Sequence, residues 1–107
     1  MPCVDLAFRV TGNAIPVDHG YALYSAISRL VPELHNAREI GIHPIRGRYV
    51  GAGKLHLTPA SRLVIRLPDD RIRPFLKLGG KGLDVDDHLL RVGVPETRDP
   101  LMVTRRA

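Results

Sequence analysis

The sequence predicts an α+β domain in which two helices cover one face of an antiparallel sheet. Three observations support this class: the first residues alternate between apolar and polar side chains, residues 23–34 repeat apolar side chains at helical spacing, and alternating stretches return after residue 60. A period of two is typical of a half-buried strand, and a period of 3.6 of an amphipathic helix. The predicted order is strand, helix, strand, strand, helix, strand, which is the ferredoxin-like βαββαβ arrangement.

The first strand and the first helix have the clearest patterns. Asp18 is expected to cap the helix, because its carboxylate can accept hydrogen bonds from free amides of the first turn, so the helix should begin near His19. Pro32 should end it near Val31, since proline has no amide hydrogen and crowds the preceding turn. The strand side chains are Val4, Leu6, Phe8 and Val10, and the helix stripe is Leu23, Ala26, Ile27, Leu30, Val31 and Leu34.

The later elements are shorter. A second helix is expected after Asp69 or Asp70, closed by the glycines that follow Leu78. A mobile basic loop is expected at residues 47–53, which hold three glycines. The remaining strands are predicted at residues 39–45, 62–67, 83–85 and 89–94.

Composition limits both the architecture and the class of partner. The chain has 107 residues, enough for one domain, which we assign to residues 1–94. Residues 95–107 are polar, basic and twice broken by proline, as expected of a linker or tail. Sixteen Lys and Arg residues against eleven Asp and Glu give a formal charge of +5, which favours a polyanion such as nucleic acid.

The sequence also predicts where the protein works. A single cysteine, Cys3, excludes an intrachain disulfide and favours a reducing compartment. No apolar stretch approaches the roughly 20 residues needed to cross a bilayer. We therefore expect a soluble, cytoplasmic protein without a membrane partner.

One flank of the first helix carries side chains suited to chemistry. Tyr21, Tyr24, Ser28 and His35 fall within about 60° of one another at 100° per residue. His35 should lie in a turn just beyond the helix, positioned by it and still reaching solvent. The alternative interpretation is surface tyrosines and a turn histidine.

A second candidate surface is the face of the sheet that the helices leave open. In the predicted topology the first and third strands are central, so Arg9, Arg62 and Arg66 should share this face. Such a face can bind phosphates. The alternative is simple solvation, since the outer face of a one-sided sheet is polar in any case.

Other kinds of site lack support in the sequence. The five histidines include no pair at i, i+4, and there is no second cysteine, so no metal site and no cofactor are predicted. The stretch GRYVGAGKL has the wrong spacing for a phosphate-binding loop, and Leu55 stands where a magnesium-binding Ser or Thr belongs.

Several stretches together resemble a known family. VDLAFRVTGNAIPVDHGYALYSAISRLVPELHN, followed by GIHPIRG, SRLVIRLP and LRVGVP, is similar to the N-terminal half of a CRISPR repeat-processing endoribonuclease of the RAMP superfamily, in a short type I subfamily. The resemblance implies a metal-independent nuclease that cuts the precursor transcript within each repeat. The ribose 2′-hydroxyl would attack the adjacent phosphate, leaving a 2′,3′-cyclic phosphate and a 5′-hydroxyl.

The resemblance also implies roles for individual residues. A histidine at the end of the first helix commonly acts as general base or acid, and His35 matches it, a residue type suited to proton transfer near neutral pH. A tyrosine late in that helix is common in the family, and Ser28 stands at the matching position, with Tyr24 one turn earlier as a substitute. The cationic partner is open among Arg38, Arg46 and Lys54.

The full prediction is CRISPR repeat RNA as substrate, with a second ferredoxin-like domain or other type I effector subunits as further partners. One alternative is a non-catalytic RNA-binding half-domain, and another is an interaction module that dimerises through its sheet. The predicted RNA-binding residues are Arg9, Arg38, Arg46, Arg48, Lys54, Arg62 and Arg66.

Overall fold

The computed structural model describes residues 2–98, in which eight strands form two antiparallel sheets beside one α-helix. The elements are β1 (Cys3–Thr11), β2 (Ala14–Pro16), α1 (Gly20–Leu30), β3 (Gly41–Ile42), β4 (Arg48–Gly51), β5 (Lys54–His56), β6 (Arg62–Pro68), β7 (Gly82–Val85) and β8 (His88–Arg98). None of the helices in this range is long and apolar enough to span a bilayer.

The main sheet has five strands in the order β3-β6-β1-β8-β7. β1 pairs with β6 on one side and with β8 on the other, so β1 and β6 are interior strands as the sequence predicted. The structure thus confirms an α+β architecture on an antiparallel sheet, and the order of β3, β6, β1 and β8 is compatible with a ferredoxin-like fold.

The core lies between this sheet and α1. Apolar side chains on one face of the central strands pack against the apolar stripe of the helix, and each such burial stabilises the fold by roughly 1.5–3 kcal/mol. Tertiary packing of this kind, rather than capping, therefore holds α1 in place. The largest fully buried side chains include Leu6, Phe8, Leu23, Ile27, Leu63, Ile65, Phe75 and Leu78.

The predicted cap of α1 is wrong. His19, not Asp18, occupies the N-cap position, and no side chain caps the helix by a hydrogen bond. Asp18 is exposed, whereas the ring of His19 turns inward and is 2% exposed. Buried hydrogen bonds of His19 thus replace the expected carboxylate cap.

The predicted second helix is also wrong. The segment forms two 3₁₀ helices, Asp69–Arg71 and Arg73–Leu78, so the exact βαββαβ order with two α-helices does not hold in residues 2–98. Pro74 removes an amide donor, and a segment this short cannot offset the cost of nucleating an α-helix. The 3₁₀ repeat of three residues still aligns Phe75 with Leu78, and both are buried.

The region between β3 and β6 differs most from the prediction. The strand expected at residues 39–45 is reduced to the two residues of β3. The expected mobile loop is instead a hairpin of β4 and β5, which joins β2 in a second sheet of order β2-β5-β4. Its turn places Gly51, Ala52 and Gly53 at φ of 90°, 53° and 70°. The two glycines adopt this left-handed conformation without strain.

The C-terminal strand is longer than predicted. The hairpin of β7 and β8 turns at Asp86 and Asp87 as expected, but β8 continues to Arg98 and pairs with β1. The pairing of β7 with β8 extends only to Arg91, so β7 does not pair with Pro95. Pro95 is tolerated because this edge of β8 needs no amide hydrogen from it. Residues 95–98 therefore belong to the sheet, and the rest of the predicted tail lies outside the described residues.

Candidate functional site

An exposed histidine follows the first helix, as the sequence predicted. His35 ends a short 3₁₀ helix, Pro32–Leu34, and its amide donates to the Pro32 carbonyl at 3.0 Å. The preceding Leu34 is 2% exposed and anchors this turn in the core. The imidazole is thus held at the surface by a buried neighbour.

Tyr24 lies beside His35. The two ring centroids are 6.4 Å apart and the ring planes meet at 85°, an edge-to-face contact. Contacts of this kind contribute about 0.5–1.5 kcal/mol and limit the orientations of both rings. The phenol ring of Tyr24 therefore helps to orient the exposed imidazole of His35.

Ser28, the third predicted member of this group, is placed differently. It is 5% exposed, and its Oγ has no hydrogen-bond partner within the described chain. A ligand at the surface cannot reach a hydroxyl buried in this way, so the structure brings together Tyr24 and His35 and separates Ser28 from them by burial. Helical spacing alone placed Ser28 on the exposed flank, but the neighbouring elements cover that position.

A cationic cavity of about 400 Å³ lies on the sheet face opposite the core, and we call it the open-face cavity. Four arginines and one aspartate line it, so it has a surplus of positive charge. Its lining residues are Asp5, His43, Pro44, Arg46, Ala60, Arg62, Val64, Arg66 and Arg98.

Arg62 and Arg66, two of the four arginines of the open-face cavity, are held in place by carbonyl and carboxylate acceptors. Arg62 Nη1 donates to the carbonyls of Pro59 at 2.8 Å and Ser61 at 2.9 Å. Arg66 donates from Nε and Nη2 to the two carboxylate oxygens of Asp5, at 2.7 and 3.0 Å. These contacts fix the guanidinium groups before any ligand arrives.

The ion pair of Arg66 with Asp5 joins two central strands. The hydrogen bond from Arg66 to Asp5 raises the pKa of Arg66 above its ordinary value. When folding raises the pKa of a base, its ion pair stabilises the fold fully at pH values below the ordinary pKa. That stabilisation is lost only as the pH rises through the raised pKa. The guanidinium therefore remains charged throughout the neutral range.

The other predicted RNA-binding residues lie in three places. Arg9 faces Arg62 across the pairing of β1 with β6 and lines a second depression of about 380 Å³. Arg38 is exposed in the loop that follows His35. Arg48 and Lys54 belong to the small sheet, where the Lys54 ammonium donates to His88 Nε2 at 2.7 Å.

The sequence reasoning missed three polar residues of the open-face cavity, Asp5, Arg98 and His43. Arg98 was assigned to the tail, although alternation continues through Glu96 to Arg98 on the same face as Ala7 and Asp5. His43 follows β3, and its amide donates to the Val64 carbonyl at 2.9 Å. A strict period of two from Leu90 and Val92 would have turned Arg98 toward the core, because the register shift between Phe8 and Val10 reverses the alternation of β8. Nothing local to His43 indicates its place either.

The part of the chain that the structure describes contains no cluster of three or more His, Cys, Asp or Glu side chains able to hold a metal ion. The chemically distinctive features are therefore the pair of Tyr24 with His35 and the open-face cavity.

Comparisons with known proteins agree on one family. A family model described as Cas6 Crispr matches residues 4–105. A CRISPR-associated endonuclease Cas6 from Myxococcus xanthus is 33% identical over 102 residues, covering 89% of this chain and 41% of that protein. A solved structure described as CRISPR associated protein Cas6 is similar in fold, with a TM-score of 0.61 at 16% identity over 89% of this chain and 47% of its own. The chain thus spans less than half the length of either relative.

Proposed function

Because this chain belongs to the Cas6 family of CRISPR proteins, we propose that it binds CRISPR repeat RNA and cuts the precursor transcript within repeats. The observation that carries the catalytic part is the exposed imidazole of His35, anchored past α1 and held against Tyr24. The endonuclease from Myxococcus xanthus supports the same class of activity.

The proposed reaction uses the RNA's own nucleophile and needs no metal ion. His35 takes the proton from the ribose 2′-hydroxyl as the 2′-oxygen attacks the adjacent phosphorus, or gives a proton to the leaving 5′-oxygen as the P–O5′ bond breaks. The products are a 2′,3′-cyclic phosphate and a 5′-hydroxyl. Tyr24 acts here by orienting the imidazole.

A cation near the reacting phosphate would stabilise its developing charge. Of the three candidates, Arg38 is exposed three residues after His35, whereas Arg46 lines the open-face cavity and Lys54 is paired with His88. We therefore assign this role to Arg38.

The open-face cavity supplies the RNA-binding part of the proposal. Arg46 and Arg62, which pair with no carboxylate of residues 2–98, can each neutralise a phosphate and release a counterion, which makes binding strong at low salt. Arg66 and Arg98 already pair with Asp5 and Glu96. Arg9, Arg48 and Lys54 extend the basic surface beyond the cavity. A second ferredoxin-like domain or other type I effector subunits would complete the assembly, which we place in the cytoplasm.

The direct test is to incubate the chain with its own repeat RNA in the presence of a metal chelator and to map the product ends. We expect one cut per repeat, with a cyclic phosphate and a 5′-hydroxyl. Salt-sensitive binding without any product would select the non-catalytic RNA-binding module instead. If the chain neither binds nor cuts the RNA, the nuclease and the RNA-binding module are both rejected. A dimer seen by light scattering would then favour the interaction module.

The role of Tyr24 can be separated into its ring and its hydroxyl. Tyr24→Phe should leave the cleavage rate within about twofold, because it keeps the edge contact with His35. Tyr24→Ala should lower the rate by about two- to tenfold, the kinetic equivalent of that contact. Tyr21→Ala, which removes an exposed tyrosine from the same helix, is the control. A loss with Phe as large as the loss with Ala would show that the phenol hydroxyl takes part in the chemistry.

A further inference from the structure

Two buried polar side chains, His19 and Ser61, are not explained by the proposed chemistry. His19 is 2% exposed and Ser61 is 1% exposed, so neither can touch an RNA. Most buried polar groups in proteins are hydrogen-bonded, and both of these bond to the same short stretch of chain. That stretch, residues 43–47, crosses from β3 to β4 without regular secondary structure.

His19 holds this segment by its amide. The Ile45 amide donates to His19 Nε2 at 2.9 Å, and His19 Nδ1 lies 2.8 Å from the Pro16 carbonyl. Because Nε2 accepts, the ring is neutral and its proton is on Nδ1, from which it donates to Pro16. Both nitrogens are thus used, and the ring cannot rotate without breaking a bond.

Ser61 holds the next residue by its carbonyl. Its Oγ donates to the Arg46 carbonyl at 2.6 Å and accepts from the Thr58 amide at 2.9 Å. Ile45 is 2% exposed, so its side chain is fixed in the core. The side chain of Arg46 therefore projects from a fixed backbone into the open-face cavity, which His43 and Pro44 of the same stretch also line.

The residue after Arg46 is fixed as well. A Cβ atom on Gly47 would lie 2.2 Å from the His56 carbonyl oxygen, which means that the backbone here touches β5 directly. His19 thus holds Ile45, Ser61 holds the carbonyl of Arg46, and β5 confines Gly47. The backbone of Arg46 is therefore fixed before RNA binds. An arginine whose backbone is already ordered loses less conformational entropy when it contacts a phosphate.

We propose that His19 and Ser61 are positioning residues for RNA binding, which act by presenting Arg46 to a backbone phosphate in the open-face cavity. The proposal rests on the proposed RNA-binding function and adds to it the phosphate contact of Arg46 and the buried pair that sets it.

The test is a double-mutant cycle between Ser61→Ala and Arg46→Gln, measured as repeat-RNA affinity over a range of salt concentrations. Arg46→Gln should lower affinity about fivefold at moderate salt and reduce the slope of log K against log salt by about 0.7–0.9, as for one phosphate contact. Ser61→Ala should reproduce most of both losses in the wild-type background. In the Arg46→Gln background it should change neither, because the contact it supports is already gone.

Variants that keep the hydrogen bonds serve as controls. Ser61→Thr retains the hydroxyl and should restore affinity, and His19→Gln, which keeps an acceptor and a donor, should bind more tightly than His19→Leu. Thermal unfolding of every variant identifies any that fail to fold. If Ser61→Ala is one of these, RNA affinity of Ser61→Thr then shows whether the hydroxyl at residue 61 supports binding.

Equal losses from Ser61→Ala in both backgrounds would overturn the positioning role and leave RNA binding itself intact. Absence of RNA binding by the wild-type chain would instead reject the proposed function, and the inference with it.

Discussion

Replacing His35 with alanine is expected to lower the rate of repeat-RNA cleavage by about 10²–10⁴-fold while leaving RNA affinity within about twofold of wild type. General acid–base catalysis contributes a factor of this size, and alanine removes the only part of the side chain that can transfer a proton. The fold should not change, because His35 is exposed and its side chain makes no hydrogen bond to the described part of the chain. Single-turnover cleavage and equilibrium binding measure the two effects separately.

The matched control is His56→Ala. His56 is also an exposed histidine, but it lies on β5 in the small sheet rather than at the end of α1. His56→Ala should change neither the cleavage rate nor the RNA affinity by more than about twofold, because surface substitutions away from special features usually have small effects. Cleavage that survives in the His35 variant would remove this residue from the mechanism, and a parallel loss of RNA affinity would show that it binds rather than catalyses.

The elements that the sequence predicted well are those whose own side chains determine their environment. β1, α1 and β6 each carry an uninterrupted apolar pattern, so their period and their buried face follow from the same residues. The α1 boundaries were also readable, because Pro32 limits the helix by sterics alone. Knowing that the first and third predicted strands are central was enough to place Arg9 opposite Arg62.

The features that the sequence could not show depend on contacts between distant parts of the chain. Asp18 has the chemistry of an N-cap, but the buried hydrogen bond that His19 accepts from the Ile45 amide, 26 residues away, decides how the helix begins. Gly47, Gly51 and Gly53 indicate a loop by composition, yet β2 provides a partner strand that turns the segment into a hairpin. Local propensity is overridden in both cases by tertiary structure.

The candidate site divides in the same way. His35 could be placed from the sequence because the turn that follows an amphipathic helix lies at the surface. Ser28 was misplaced because its burial depends on what packs over the helix flank, which spacing does not reveal. The pairing of Arg66 with Asp5 was also invisible, since it requires the register of two strands that lie 61 residues apart in sequence.

Two substitutions in that ion pair should both lower the free energy of unfolding but should have opposite effects on RNA binding. Arg66→Ala leaves the carboxylate of Asp5, whose side chain is 8% exposed, without its partner. A fully buried pair would cost 3–5 kcal/mol, but Arg66 is 45% exposed and solvent screens it, so we expect about 2 kcal/mol. Asp5→Asn keeps the shape of the side chain and should cost about 1 kcal/mol. Urea unfolding monitored by circular dichroism measures both values.

RNA affinity should separate these variants, because the open-face cavity gains positive charge in one and loses it in the other. Asp5→Asn removes the acid that occupies Arg66 and should tighten RNA binding about threefold, with a steeper salt dependence, whereas Arg66→Ala should weaken it about fivefold. Glu33→Gln makes the same change in net charge from the 3₁₀ helix after α1 and should have little effect. Because stability falls in both ion-pair variants, loss of folded protein cannot produce opposite changes in affinity. Equal weakening by Asp5→Asn and Arg66→Ala would mean that the pair serves the sheet alone, and that phosphates bind to other arginines.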